Sequence, residues 1–284
     1  MKIENLRVDY GNFTALNIED AIEFMPGDRI GIIGGNGAGK TTFAKAVCGL
    51  VPYQGKIISD LKHGDIAIHQ QENAYVKRMP VHIIMEAILN TTIKENDRLM
   101  ELIKFFDFEE SLKKRYAQLS GGQKQKMTII LVIMQNKQLT FFDEVTSGLD
   151  FESRSKLMDK IREWYSTKEN TVCVVSHYYD ELENFVNKLL ILDKGKVMAF
   201  GDVDELFKKY CSKVVFVISN TERNQKLTKD LKKLVAPAHL IAFAAPTKKD
   251  EESLSELFVK ENINFKRSNK DLEILFINAI AGGK

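Results

Sequence analysis

The chain has 284 residues and a mass of 32.4 kDa, which excludes a long repeat array and is typical of one large domain or of one domain with a small appendage. Apolar residues make up 44% and charged residues 28% of the sequence, a balance that excludes global disorder. The formal net charge of +2 is too balanced to indicate a polyanion-binding surface, so we expect no nucleic-acid partner.

The sequence contains neither a candidate membrane span nor a candidate secretory signal. Its longest apolar stretch, residues 129–134, is far shorter than the roughly 20 residues needed to cross a bilayer. Charges at Glu4, Arg7 and Asp9 interrupt the region that is apolar in a secretory signal. The three cysteines include no Cys-x-x-Cys pair, which disfavours a disulfide framework and a zinc site. We therefore expect a cytoplasmic protein.

Short apolar runs alternate with helical patterns over most of the chain. Strands are predicted at residues 29–33, 66–69, 139–142 and 171–176. Helices are predicted at residues 40–48, 123–134 and 151–165. Because the strands are apolar throughout rather than at alternate positions, we expect a parallel sheet that is covered on both faces. The sequence therefore predicts an α/β protein.

The residues between the first strand and the first helix fit the phosphate-loop pattern G-x-x-x-x-G-K-[ST]. They are Gly34, Gly35, Asn36, Gly37, Ala38, Gly39, Lys40 and Thr41, and Thr42 follows them among the expected nucleotide-binding residues. Glycines let successive N–H groups turn toward one anion, and the helix N-terminus adds partial positive charge. We expect Lys40 to bind the β and γ phosphates and Thr41 to bind Mg²⁺. The alternative is a glycine turn that only starts a helix.

Between residues 72 and 137 the pattern becomes mostly helical. The apolar positions form two stripes, Ile83, Ile84, Ala87 and Ile88 in one and Leu99, Leu102, Ile103 and Phe106 in the other. We expect an inserted helical subdomain at about residues 72–137.

A pair of glycines precedes the predicted helix at residues 123–134, in the segment Leu119-Ser120-Gly121-Gly122-Gln123. Ser120 and Gln123 fit the S-x-x-Q capping box, which would be a structural role. A capped helix needs no paired glycines, however. Gly121 and Gly122 would leave the helix N-terminus open to a phosphate of another molecule.

Two carboxylates, Asp143 and Glu144, follow the strand at residues 139–142. Open α/β sheets bind their ligands at the carboxyl ends of their strands. We expect Asp143 to hold Mg²⁺, directly or through water, and Glu144 to orient and deprotonate the water that attacks the γ phosphate. A helix-start role for the pair is the alternative, and the phosphate loop upstream disfavours it.

With LSGGQ at residues 119–123, the sequence resembles the ATP-binding cassette (ABC) ATPases. The resemblance implies a P-loop NTPase cassette with a RecA-like core and an inserted helical subdomain, with ATP and Mg²⁺ as cofactors. It also implies that Ser120 and Gly122, within a signature that includes Gly121 and Gln123, bind the γ phosphate of ATP held by a second ABC ATPase subunit. The resemblance leaves open whether that subunit forms a homodimer or a heterodimer.

Four further residues match family motifs one at a time. By resemblance, Tyr10 stacks on adenine, although a lone tyrosine is also compatible with a core or surface position. Gln71 matches the glutamine that senses Mg²⁺ and the attacking water, with Gln70 as a competitor at this spacing. Asp150 matches the loop that crosses the dimer interface, and His177 matches the histidine that contacts the γ phosphate.

After residue 211 the pattern changes, and we expect domains at residues 1–211 (the ABC ATPase) and 212–284 (a small α/β extension). Strands are predicted at residues 214–218 and 240–244, helices at 225–234 and 251–260, and a strand or helix at 272–276. The extension has 13 Lys or Arg and 9 Asp or Glu, intermixed as on a solvated surface. Residues 271–278 resemble the LEDVF element that closes the ATPase subunits of drug, peptide and lantibiotic exporters.

The resemblance implies an ATPase subunit that powers a separate polytopic membrane permease and lies on the cytoplasmic face of the membrane. The end of the chain favours export of a drug, peptide or lantibiotic-like substrate. An importer ATPase is the first alternative, and a soluble ABC ATPase of translation or DNA repair is the second. We expect a permease helix to dock near Gln71, Tyr75, Met79 and Pro80, although these side chains are also compatible with internal packing.

Overall fold

A computed structural model describes residues 1–69 and 75–282. Within these residues the strands are β1 (Lys2–Tyr10), β2 (Phe13–Ile18), β3 (Ile22–Glu23), β4 (Arg29–Gly34), β5 (Gln54–Ile58), β6 (Ile66–His69), β7 (Leu139–Asp143), β8 (Thr171–Val175), β9 (Lys188–Asp193), β10 (Lys196–Asp202), β11 (Val214–Ser219), β12 (Lys233–Leu234), β13 (Leu240–Ala245) and β14 (Phe265–Ser268). The α-helices are α1 (Lys40–Val47), α2 (Val81–Leu89), α3 (Asp97–Phe105), α4 (Gly121–Met134), α5 (Phe151–Tyr165), α6 (Tyr179–Glu183), α7 (Val203–Tyr210), α8 (Glu222–Leu227), α9 (Lys248–Lys260) and α10 (Leu272–Gly282).

A six-stranded sheet with the order β10-β9-β4-β8-β7-β6 forms the centre of the molecule. Its strands are parallel except for β10, which pairs with β9 in the antiparallel sense. In β8, Val172 and Val174 belong to one hydrophobic core, whereas Cys173 and Val175 belong to a second core on the opposite face. Both faces are therefore covered, and the predicted parallel α/β sheet is confirmed.

An antiparallel sheet of β1, β2, β3 and β5 packs beside the central sheet. The apolar pattern of the sequence did not predict this sheet. Leu6 and Leu16 from this sheet share a core with Ile30 and Phe43 of β4 and α1. The sheet therefore supports the phosphate loop, which lies between β4 and α1.

The described residues between β6 and β7 form helices and no strand. Leu99, Leu102 and Ile103 of α3 are buried, as the second predicted stripe requires. The first stripe is wrong, because α2 buries Val81, Ile84 and Met85 and leaves Ile83 and Ile88 exposed. The boundaries of a helical subdomain at about residues 72–137 stay a prediction.

The C-terminal part of the chain forms a four-stranded antiparallel sheet with the order β12-β13-β11-β14. Phe216 and Phe243 pack on Phe258 of α9 on one face. On the other face, Val215 and Val217 share a core with Leu275 of α10. The helix predicted at residues 225–234 is wrong, because α8 ends early and β12 pairs with β13. The ambiguous segment at residues 272–276 is helical.

The domain division at residue 211 is not tested by this packing and stays a prediction. Among the described residues, no helix has both the length and the apolar character of a membrane span.

Candidate nucleotide site

The phosphate loop joins the carboxyl end of β4 to the first turn of α1. The Lys40 ammonium donates hydrogen bonds to the backbone oxygens of Gly34 (2.9 Å) and Gly35 (3.1 Å). Burial lowers the pKa of Lys40, while the nearby Glu144 and Asp143 carboxylates act in the opposite direction. Lys40 is therefore a positive charge held inside the loop, where it can bind phosphate.

Two glycines of the loop are fixed by their surroundings. Gly39 has φ +100°, and a Cβ there would lie 2.6 Å from Leu16 Cδ2. A Cβ on Gly34 would lie 2.4 Å from the backbone oxygen of Leu192. The loop thus packs tightly on β2 and β9, and only glycine fits at these two positions without a shift of the backbone.

Asp143 and Thr41 meet at the carboxyl end of β7. Asp143 is buried, and burial raises the pKa of its carboxyl group. The nearby Thr41 hydroxyl acts on this pKa in the opposite direction. Asp143 Oδ1 has no hydrogen-bond partner among the described residues. A carboxylate oxygen and a hydroxyl in this position fit Mg²⁺. This ion binds few protein ligands and completes its coordination with water and substrate phosphates. When bound, the ion would neutralise phosphate charge.

Glu144 and His177 face each other across the ends of β7 and β8. Their side-chain atoms Glu144 Oε1 and His177 Nε2 are 2.6 Å apart. The backbone N–H of Glu144 donates to the oxygen of Val175 (2.9 Å), which holds Glu144 at φ +49°. This left-handed conformation is rare for a residue with a side chain. It turns the carboxylate toward His177 and away from the strand.

The predicted signature forms the N-terminus of α4. Ser120 Oγ accepts a hydrogen bond from the Gln123 N–H (3.2 Å), and Gln123 Oε1 accepts one from the Ser120 N–H (3.0 Å). The capping box is therefore present. A Cβ on Gly121 would meet no atom within 4 Å, and one on Gly122 would reach only Leu149, at 3.6 Å. The helix N-terminus is capped and also open to an approaching phosphate.

Asp150 and Tyr10 occupy exposed positions. Asp150 caps α5, with its two carboxylate oxygens accepting hydrogen bonds from the Ser153 N–H (2.9 Å) and hydroxyl (2.8 Å). Tyr10 is 47% exposed at the end of β1 and pairs with Phe13, which is 64% exposed. Gln70 and Gln71 lie outside the described residues.

Glu181 is a buried carboxylate behind the site, and no pattern in the sequence marks it. Its Oε2 accepts hydrogen bonds from the hydroxyls of Thr146 (2.9 Å) and Ser176 (2.8 Å). Arg154 Nη1 lies 3.5 Å from the other oxygen, Oε1. Thr146 follows Glu144 closely in the chain, and Ser176 precedes His177. Glu181 therefore connects the segments that carry the two facing side chains.

Comparisons with known proteins agree with this geometry. A family model described as ABC transporter matches residues 20–147. The manganese transport system ATP-binding protein MntB of Halalkalibacterium halodurans is 31% identical over 224 residues, which cover 73% of this chain and 88% of that protein. The chain belongs to the ABC transporter ATP-binding proteins. This ABC protein binds and hydrolyses ATP as a transporter subunit.

Other relatives differ in the direction of transport that their names indicate. The linearmycin resistance ATP-binding protein LnrL of Bacillus subtilis is 25% identical over 301 aligned positions, covering 99% of this chain and 90% of that protein. A methionine import protein, MetN of Corynebacterium diphtheriae, is 30% identical over 69% of this chain and 63% of its own length.

Among solved structures, cbiO1 from Clostridium perfringens has a TM-score of 0.63 at 23% identity, covering 81% of this chain and 94% of that one. It is described as part of the ABC transporter complex cbiONQ. This similarity confirms the fold of the ABC cassette.

Proposed function

We propose that Glu144 is the general base for ATP hydrolysis in this ABC protein and that His177 orients it toward the γ phosphate. The 2.6 Å contact between the two side chains carries the proposal. It lies beside Lys40 and Asp143, the expected phosphate and Mg²⁺ ligands. In such a site the protein contributes positioning, charge neutralisation and one base.

We further propose that the complete site needs a second ABC ATPase subunit, which supplies the signature at Ser120 to Gln123. The support is that this helix N-terminus is capped yet open at Gly121. ATP bound between two subunits would favour the closed dimer by the binding energy that only the dimer provides.

The substitution Glu144→Gln tests the assignment of the base. It keeps the shape of the side chain but removes its basicity, so turnover should fall by roughly 10²-fold or more while ATP still binds. Size-exclusion chromatography with ATP should then show dimers. Glu163→Gln, at an exposed glutamate on α5, is the control and should hydrolyse ATP like the wild type. Unchanged turnover of the Glu144 variant would exclude this residue as the base.

We also propose that the chain works on the cytoplasmic face of a membrane with a polytopic permease that exports a drug, peptide or lantibiotic-like substrate. The match to LnrL supports export because it spans 99% of the chain and so includes the C-terminal extension. Exposed Val76, Ile83 and Ile88 in the helical region support a contact with the permease. Tyr75 and Met79, by contrast, are partly buried against the core.

Deleting the gene tests this direction of transport. For an exporter, the deletion should raise sensitivity to linearmycin or to a peptide antibiotic, and the wild-type gene should restore resistance. The Glu144→Gln gene should not restore it, whereas the Glu163→Gln gene should. Reduced uptake of a nutrient with unchanged resistance would indicate an importer. Co-purification with ribosomes rather than with a membrane protein would indicate the soluble class.

A further inference from the structure

A cavity of about 610 Å³ lies where the C-terminal sheet meets the end of α7. Its lining includes Lys208 on α7, Lys213 between α7 and β11, and Lys232 and Lys233 at β12. We call these four residues the lysine groove. The volume lies within the range of about 300 to 1,000 Å³ that is typical of small-molecule sites.

The four ammonium groups have no anionic partner within the described chain. The ion pairs between described residues include none of these four lysines. The single acidic residue in the lining is Asp250, and its carboxylate accepts hydrogen bonds from the hydroxyl (2.6 Å) and the N–H (3.0 Å) of Thr247. All four lysines are exposed, and their combined positive charge attracts an anion.

A buried hydroxyl in the same lining supports a ligand in the groove. Ser212 is only 7% exposed, and its Oγ has no hydrogen-bond partner among the described residues. Buried polar groups are nearly always hydrogen-bonded, so an unpaired one requires an explanation. A bound molecule or its hydration water would supply the partner.

We propose that the lysine groove binds a phosphate-bearing anion. Four lysines match a ligand that carries more than one negative charge, and lysine binds phosphate as a point charge. The lining also contains apolar Leu234, Ala244 and Pro246, which can contact an organic portion of the ligand. A second cavity of about 420 Å³ shares Lys233 and Leu234 and adds Lys229. Acidic and basic residues are intermixed along the sequence of the extension, but the fold brings several lysines together at this groove.

Binding of two probes tests the proposal and identifies the source of the phosphate. Pyrophosphate, titrated by calorimetry into the full chain, represents a soluble ligand, and vesicles of phosphatidylglycerol represent a lipid headgroup. The groove variant is Lys213→Gln with Lys232→Gln. The control variant is Lys226→Gln with Lys260→Gln, which removes the same charge from exposed positions outside the groove. Circular dichroism and thermal unfolding check that both variants fold.

For a soluble ligand, the wild type and the control variant should bind pyrophosphate at two sites, the phosphate loop and the groove. The groove variant should keep only the first. For a lipid headgroup, vesicle binding of the groove variant should weaken roughly 30-fold relative to the control, from about 1 kcal/mol for each lysine. If groove and control variants bind both probes equally, the proposal is wrong.

Discussion

At the scale of single residues, Glu181 joins three segments of the chain. Its oxygens contact Thr146 after β7, Ser176 after β8 and Arg154 in α5. The guanidinium of Arg154 also lies 3.5 Å from the ring centre of Tyr178. Among the described residues, the hydrogen bonds and the ion pair of Glu181 involve Thr146, Ser176 and Arg154 and no residue of the phosphate loop. We therefore assign Glu181 as a positioning residue for Glu144 and His177.

Truncation of Glu181 should lower both stability and turnover. In Glu181→Ala the Thr146 and Ser176 hydroxyls lose their buried acceptor, so unfolding in urea should become easier by about 1 to 3 kcal/mol. Turnover should fall more than KM for ATP changes, because the defect displaces the base and not the phosphate loop. Glu181→Gln keeps an acceptor oxygen and should recover part of both. A loss of stability with unchanged turnover would leave Glu181 a purely structural role.

The same side chain predicts a dependence of stability on pH. Burial raises the pKa of Glu181, and the Ser176 and Thr146 hydrogen bonds reduce that increase. An acid whose pKa is higher in the folded state holds its proton longer when folded. The contribution of this group to stability is therefore complete when the pH is below 4.5, the ordinary pKa of a glutamate. It is lost as the pH rises above that value. Urea titrations should show Glu181→Gln gaining stability relative to the wild type over that rise.

Residues of the site were predictable where a local pattern marks them. The phosphate loop and the pair Asp143 and Glu144 each follow a strand directly, so spacing and residue type were sufficient. Glu181 has no such mark, because it reads as an ordinary acidic residue in the first turn of a short helix. Two of its partners, Thr146 and Arg154, come from earlier elements of the chain, and only folding brings them to Glu181. The choice between Gln70 and Gln71 stays a prediction.

At the scale of elements, α4 combines two roles at one terminus. The predicted capping box is confirmed at Ser120, and the extension offers a matched case at Thr247, which caps α9 with Asp250. Loss of either cap hydroxyl should cost about 1 kcal/mol. Only Ser120 is also proposed to bind ATP of a second subunit.

Comparison of Ser120→Ala with Thr247→Ala separates capping from nucleotide binding. Both variants should lose similar stability in thermal unfolding. Only Ser120→Ala should also lose ATP-dependent dimerisation in the Glu144→Gln background. Equal dimerisation by both variants would show that the Ser120 hydroxyl acts only as a cap.

An element could be predicted from the sequence more easily when its apolar pattern was continuous. β4, β7 and β8 are buried on both faces and stand out as unbroken apolar runs. β1 alternates buried and exposed positions and carries charges, so the same criterion passed over it. The stripe on α2 failed because an apolar face turned outward cannot be told from a core face by spacing alone. β12 has two residues and is defined by pairing with β13, which is tertiary information.

At the scale of the whole molecule, α10 fills the space between the cassette and the C-terminal sheet. Leu272, Ile274, Leu275 and Ala279 are buried in the main core. Asn278 donates to the backbone oxygen of Val235 (2.8 Å) and accepts from its N–H (3.1 Å). One helix thus belongs to both parts.

Leu275→Ala should destabilise the cassette and the extension together. The side chain is fully buried, so its truncation should cost about 2 to 5 kcal/mol. Intrinsic fluorescence, which follows Trp164 in the cassette, and far-ultraviolet circular dichroism should report one coincident transition at a lower urea concentration. Ile280→Ala, at a half-buried position on the same helix, should shift the midpoint less. Two separate transitions would mean that the parts unfold independently.

The placement of α10 also has a consequence for motion during the ATP cycle. The elements that contact α10 most are α6, α7, β9 and β10. They lie in the part of the molecule that carries the phosphate loop. Helices α2 to α4 are not among these main contacts. If the helical region rotates when nucleotide is exchanged, the extension should not rotate with it. The extension would move as one body with the part of the cassette that holds the nucleotide. The lysine groove at its edge would move with it.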